Sequence, residues 1–293
     1  MISLAAGDLR VEVAPEVGGS VARFDRAGQP LLRPAPDGAD HVLAMACFPL
    51  VPYCNRIRGG RFLCDGQAVR LAPNMAADPS PLHGQGWLAP WRVVTAQTHK
   101  VELVFDHEAG EWPWSYQARQ VIALDEGGLT LTLACSNLSP RAMPCGLGFH
   151  PYYPCDAETV LDTSVEAVWT VDPDVLPVAR EPATGRYQLR ERRICGQELD
   201  NGYDGWSGAA TIAWPGRPAG LRLTSPDARR FQVYAPASGG FFAAEPVQNA
   251  NAALNEPQDR WASLGISVLE QGQEAVTTAR FKVIPFLGAE SHS

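Results

Sequence analysis

No uninterrupted apolar run in the 293 residues approaches the ~20 needed for a helix to cross a bilayer. The opening MISLAAGDLR has neither the basic start nor the long apolar core of a secretory leader. No Ser-, Gly- or Pro-rich stretch is biased enough to mark a linker, and no segment repeats at a fixed period. One domain is therefore expected over residues 1–286, with a frayed tail at 287–293. None of the seven cysteines pair as C-x-x-C, and they scatter from Cys47 to Cys195. A disulfide framework is not expected in so large a chain; the reading is buried free thiols in a reducing cytoplasm. A basic excess is also missing. Lysine and arginine total 24 against 32 acidic residues, and the net charge of −8 is spread along the chain. Such a surface argues against nucleic acid and against an acidic membrane as partners. Dinucleotide-binding, P-loop and H-E-x-x-H fingerprints are absent too.

What is present is alternation. Apolar residues recur at period two rather than at helical spacing, cleanly so in Leu9-Arg10-Val11-Glu12-Val13. Arg61 to Leu71 reads as a hairpin turning at Asp65-Gly66. Lys100 to Phe105 alternates, and the runs Tyr116 to Leu124 and Leu129 to Cys135 are joined at Glu126-Gly127-Gly128. Leu221 to Thr224 and Phe231 to Tyr234 are expected to pair. Gly265 to Glu270 and Ala275 to Ile284 flank Gln271-Gly272-Gln273. Proline, 25 of 293, exceeds the roughly 5% of average proteins, as a fold rich in loops and edges requires. The class is all-β and antiparallel.

Four segments break the pattern by setting polar groups beside aromatics or glycine. In Phe48 to Phe62, Arg56 offers a planar fork of donors and Asn55 both a donor and an acceptor, a grip suited to adjacent hydroxyls. The plainer reading is a surface arginine ahead of a hairpin. In Pro81-Leu82-His83-Gly84-Gln85-Gly86-Trp87, a histidine precedes two glycines, with Trp87 available to cover an apolar sugar face. A structural loop histidine is the alternative. In Cys145 to Tyr153, His150 precedes a proline, which places it at a strand end facing an aromatic-lined opening. Histidine can move protons near neutrality; a core histidine bonded to a carbonyl fits the same residues. In Phe241 to Asn251, Glu245 directly follows four apolar residues. Burial would raise its pKa and make it a general base, and a half-buried glutamate without a role is costly.

Taken in order, these segments resemble the aldose 1-epimerase family. Asn55-Arg56-Ile57 is similar to its N-R-I motif, and Leu82-His83-Gly84 to its first histidine motif. Gly148-Phe149-His150-Pro151-Tyr152 resembles its second histidine motif, and Glu245-Pro246 its glutamate motif. Leu199-Asp200-Asn201-Gly202-Tyr203 resembles its aspartate motif, although Asp204 is near enough for that assignment to slip by four positions. The resemblance implies a large antiparallel β-sandwich of the galactose mutarotase-like type, with a cleft on one sheet. It implies Glu245 as the base at the anomeric hydroxyl and His150 as the acid at the ring oxygen. His83, Arg56, Asn55 and Asp200 would hold ring hydroxyls, and Tyr152 would line the cleft. Ring opening removes a proton at O1 and delivers one to O5, so an acid and a base must act from different directions. That chemistry requires no cofactor and no metal, and its partner is a small sugar. Gln85, the short loop after it, and Asp-Asn-Gly-Tyr in place of Asp-His-x-Phe depart from the galactose enzymes; they bear on the sugar rather than the reaction.

Three other readings compete. A hexose-6-phosphate 1-epimerase would need cations around the phosphate, for which Arg58 and Arg61 are candidates. A non-catalytic carbohydrate-binding sandwich would use Trp87, Trp112, Trp114 and Trp206 as stacking platforms. A metal site would draw two histidines and a carboxylate from His83, His150 and Glu245, although they lack local ligand spacing.

Overall fold

The structure, a computed structural model, describes residues 1–76 and 78–285; the expected tail at 287–293 lies outside them. The period-two alternation folds into two large antiparallel sheets of 11 and 9 strands, with 2-stranded ribbons beside them. Phe149, Phe231, Val233 and Phe242 of the larger sheet and Leu131, Leu133, Ala279 and Phe281 of the smaller belong to one buried cluster. The sheets are therefore the two layers of a sandwich. Each of the Phe, Leu and Val side chains removed from water contributes roughly 1.5–3 kcal/mol relative to leaving it exposed. The hairpin of Tyr116–Asp125 with Gly128–Asn137 turns at Glu126-Gly127 as expected. Gly128 has φ +143°, and a Cβ there would meet the Phe281 carbonyl oxygen at 2.0 Å, so only glycine fits under the neighbouring strand.

The central strands of the larger sheet run, side by side, Cys47–Leu50, Gly148–Pro154, Phe241–Val247, Arg230–Ala235 and Leu199–Asp204. Alternation gives each two faces. Phe149, Tyr153, Phe231, Val233, Phe242 and Ala244 point into the sandwich. Phe48, Leu50, Tyr152, Ala243 and Val247 pack in a separate cluster with Leu82 and Trp87, on the outer face. That outer face is where the polar residues of the motifs emerge.

Three expectations are corrected. Ala219–Thr224 and Arg230–Ala235 do not pair: the first lies in the smaller sheet beside Glu274–Pro285, the second in the larger beside Phe241–Val247. Leu221 and Leu223 enter the shared core from one side, Phe231 and Val233 from the other, so the link between them turns a corner of the sandwich. His150 does not end a strand; it sits inside Gly148–Pro154, opposite Phe48. Cys155 and Cys195 form a disulfide, with Cα atoms 5.6 Å apart across a sequence separation of 40. The fold brings together the end of one strand and a loop that nothing in the local sequence connects. The other five cysteines are free and buried, as expected.

Candidate active site

Tyr152 pairs with Ala243 and Gly148 with Val247, a register that sets His150 directly opposite Glu245 on the neighbouring strand. Residues opposite one another share a face with Cβ atoms about 5 Å apart. Pro151 and Pro246 supply no N–H, which interrupts the ladder between those two pairs. On the next strand Gln232 is opposite Glu245, and Tyr234 is opposite both Ala243 and Asp200. Two adjacent rows of side chains thus form a floor, and Ala243 keeps one row low between two tyrosines.

The walls come from two loops zipped together by backbone bonds. His83 N donates to Asn55 O at 3.0 Å, Ile57 N to Pro81 O at 3.1 Å, and Val51 N to His83 O at 3.3 Å. Gly84 has φ +74°, and a Cβ would meet Val51 O at 2.1 Å, so the glycine beside His83 permits the close approach. Asn55 N donates to His83 Nδ1 at 3.0 Å. A nitrogen that accepts carries no proton, so neutral His83 bears its hydrogen on Nε2. Burial, with His150 and Arg56 nearby, holds the His83 pKa well below its ordinary 6.5.

Arg56 is held from several sides. Its Nε donates to Asp78 Oδ2 at 2.8 Å and its Nη1 to Asn55 Oδ1 at 3.1 Å. Its backbone N–H is shared between Asn55 Oδ1 and Asn251 Oδ1, at 3.0 and 3.2 Å. Asp200 Oδ1 accepts from Gln232 Nε2 at 2.8 Å. Burial raises the Asp200 pKa to about 6 against the opposing effect of Arg56.

All seven residues singled out in the sequence (Asn55, Arg56, His83, His150, Tyr152, Asp200 and Glu245) line one cavity of about 370 Å³. That volume lies within the roughly 300–1,000 Å³ typical of small-molecule sites. His150 Nε2 is 3.2 Å from Glu245 Oε1, and both side chains are almost wholly buried. Burial pushes the two in opposite directions: the Glu245 carboxyl well above the usual carboxylate range, and His150 down to about 3. Both shifts favour uncharged forms. The His150 ring stacks on Phe48 with centroids 4.5 Å apart, and Tyr152 lies beside it at 4.6 Å with its ring tilted by 45°.

Asp204, the other aspartate considered, is outside this cavity; it accepts from Arg180 Nε at 2.9 Å and Trp169 Nε1 at 3.0 Å, and lies 3.0 Å from Arg230. Arg58 and Arg61 are also elsewhere. Arg58 donates to Pro177 O at 3.0 Å near Asp172, and Arg61 lines a separate groove with Asn255 to Gln258. Trp112, Trp114 and Trp206 are core residues, not stacking platforms. Trp87 borders the cavity but is itself buried, stacked on Phe48. Among the described residues, no three His, Cys, Asp or Glu side chains converge with metal-ligand geometry.

Residues 1–277 match the family model described as Aldose 1-epimerase. The chain belongs to the aldose 1-epimerase family. It is 31% identical over 274 residues to the uncharacterized protein YphB of Escherichia coli K12, covering 87% of this chain and 90% of that one. A crystal structure from Escherichia coli K12, provisionally named an aldose 1-epimerase, superposes with a TM-score of 0.89 at 26% identity. The match covers 97% of this chain and 99% of that one. A galactose mutarotase-like protein from Clostridium acetobutylicum shares the fold at a TM-score of 0.86, with 19% identity and coverage of 97% and 95%.

For this aldose 1-epimerase family member, sequence reasoning missed several cleft residues: Arg33, Gln232, Tyr234, Phe241 and the buttress Asp78. Gln232 had a usable signal, a polar residue between Phe231 and Val233 on a strand whose neighbours are buried. Asp78 had none, because its partner Arg56 stands 22 positions away in an irregular loop.

Proposed function

We propose that the protein is a cofactor-independent aldose 1-epimerase, interconverting the α and β anomers of an aldopyranose by opening and closing the ring. The observation that carries this reading is the contact of Glu245 Oε1 with His150 Nε2, 3.2 Å apart on the floor of a sugar-sized cleft. The pair holds one proton between them. With the sugar bound, the Glu245 carboxylate takes the proton from O1 while protonated His150 gives one to O5, and the C1–O5 bond breaks. The products of that step are an open aldehyde, a carboxylic acid and a neutral imidazole. Burial favours the uncharged pair, so the step starts from the less favoured ionised form, reached when the Glu245 proton passes to His150, and ring opening returns both side chains to their uncharged state. Rotation about C1–C2 presents the other face of the aldehyde, and the two protons return to close the other anomer. Each well-placed group contributes ~10²–10⁴-fold. His83 Nε2–H, the Arg56 guanidinium and the Asp200 carboxylate supply donors and an acceptor for ring hydroxyls.

A sugar-binding module without catalysis has no need for an acid and a base in contact, and three of its four candidate tryptophans are in the core. Polarimetry on freshly dissolved single-anomer sugars tests the reading: the protein should accelerate the approach to anomeric equilibrium for at least one aldose. Binding without acceleration across such a panel would support the module instead.

A further inference from the structure

Asp78 is buried outside the cleft lining, 22 positions from the arginine it faces, and the ring-opening chemistry leaves it unused. Both its oxygens are engaged. Oδ2 accepts from Arg56 Nε at 2.8 Å, and Oδ1 accepts from Ser80 N at 2.9 Å. The loop that carries it is tied to the His83 wall by Asn74, which donates to Leu82 O at 2.7 Å and accepts from Leu82 N at 2.8 Å. The fold therefore presents this carboxylate to Arg56 from a fixed position.

Arg56 and Asp200 line the same cleft with opposite charges, yet the ion pair that Arg56 makes is with Asp78. The guanidinium is near enough to pull the Asp200 carboxyl down, while burial and the charge of Asp78 push it up, to about 6. Opposite charges with little water between them attract strongly, so their separation needs a cause. A carboxylate grips arginine best through two parallel N–H donors, either Nε with Nη2 or Nη1 with Nη2. Asp78 takes Nε, and Asn55 Oδ1 takes Nη1 at 3.1 Å. Each two-donor edge is thus short of one donor. Nη2 is left for the cleft, a single donor suited to a hydroxyl.

We propose that Asp78 is a positioning residue that keeps Arg56 from closing onto Asp200, so that both stay free for sugar hydroxyls. This deepens the epimerase reading and rests on its assignment of those two groups as holders of the ring. Asp78 touches no substrate; it acts through Arg56. The other ionisable groups that face Asp200 are Glu245, Tyr152 and Tyr234, none of them a cation. With the Asp78 charge removed, the charge of Arg56 is unbalanced beside Asp200 and the two pair. Asp200 then keeps its negative charge to lower pH, and a sugar must part the pair before it binds.

The test is Asp78→Asn, read in two ways. NMR titration of the Asp200 carboxyl in the sugar-free protein, its signal assigned by loss in Asp200→Asn, should give a midpoint of about 6 in wild type. In Asp78→Asn the midpoint should fall to roughly 3–5, the effect of a cation in contact. In anomer exchange at neutral pH, KM should rise about tenfold or more while kcat changes less than about threefold. Asp78→Glu, which keeps the charge, should hold the midpoint near 6 and recover part of the affinity. A merely structural role would raise KM but leave the Asp200 midpoint of Asp78→Asn near 6, and that result overturns the inference. A wild-type Asp200 that already titrates below about 4 also overturns it, because the carboxyl would then be paired with Arg56 from the start. That measurement needs no variant and decides the matter even if Asp78→Asn does not fold. Absence of exchange on every aldose of a wide panel removes the epimerase reading, whereas the titration still shows whether Asp78 holds the two charges apart.

Discussion

Two ionisable side chains, Glu245 and His150, face one another with little water to stabilise either charge, and this sets the pH range in which they can exchange a proton. His150 resists a second proton down to about 3, because burial penalises the imidazolium. Glu245 keeps its proton well above the usual carboxylate range for the same reason. The pair is thus singly protonated from about 3 up to the raised limit of Glu245, and it titrates as a unit. Turnover should accordingly not fall as the pH is lowered from 7 to 5, whereas an imidazole base with an unperturbed pKa would lose half of it near 6.5. Asp200 behaves differently. Its pKa of about 6 means that it gains a proton, and loses its acceptor charge, as the pH falls through that value. KM should rise below about 6 in wild type, and Asp200→Asn should remove the break. A pH series of kcat and KM checks both, and a kcat that falls with a midpoint near 6.5 as the pH is lowered would contradict the shared-proton account.

At the scale of elements, the segment carrying Asn55 and Arg56 is irregular, and asparagines nearly two hundred positions away hold it. Asn249 accepts from Cys54 N at 2.9 Å and donates to Cys54 O at 3.0 Å, pairing with that residue as a neighbouring strand would. Asn251 accepts from Arg56 N at 3.2 Å and Asn255 from Arg58 N at 2.7 Å. Asn249→Ala leaves a buried N–H and a buried C=O unpaired, at a cost of about 2–4 kcal/mol. Urea denaturation should show that loss; a change under 0.5 kcal/mol would mean the loop holds itself. These clamps also mark where sequence reading stops. The period-two pattern identified strands such as Tyr116–Asp125, but the segments of His150 and Glu245 are buried on both faces and break it, so His150 was expected at a strand end and Glu245 on no strand. The pattern contained nothing about partners: a side chain bonding to a backbone 195 residues away leaves no local trace. The same limit explains why Ala219–Thr224 and Arg230–Ala235 were expected to pair. Adjacent alternating runs look the same whether they form a hairpin or turn a sandwich corner. Arg33 was passed over because it follows Leu31 and Leu32 in a loop, and only the fold sets it against Tyr152 and Phe241.

On the scale of the whole molecule, two sheets share one core and the larger presents its outer face as the floor of the cleft. The Cys155–Cys195 bond ties the end of the His150 strand to a distant loop. In the chain-entropy model a closed loop of that size is worth about 4 kcal/mol. Thiol titration in denaturant without reductant should count five free cysteines, whereas seven would mean the bond does not form. The family, the fold and a cleft lined by the seven expected site residues meet in one proposal: Glu245 and His150 open a pyranose by taking a proton from O1 and giving one to O5. The most direct test is NMR magnetisation transfer between the two anomers of a bound-and-exchanging sugar, in wild type and in Glu245→Gln. Wild type should transfer magnetisation rapidly, and Glu245→Gln should still bind the sugar while exchange falls by orders of magnitude. Near-normal exchange in Glu245→Gln would contradict the account.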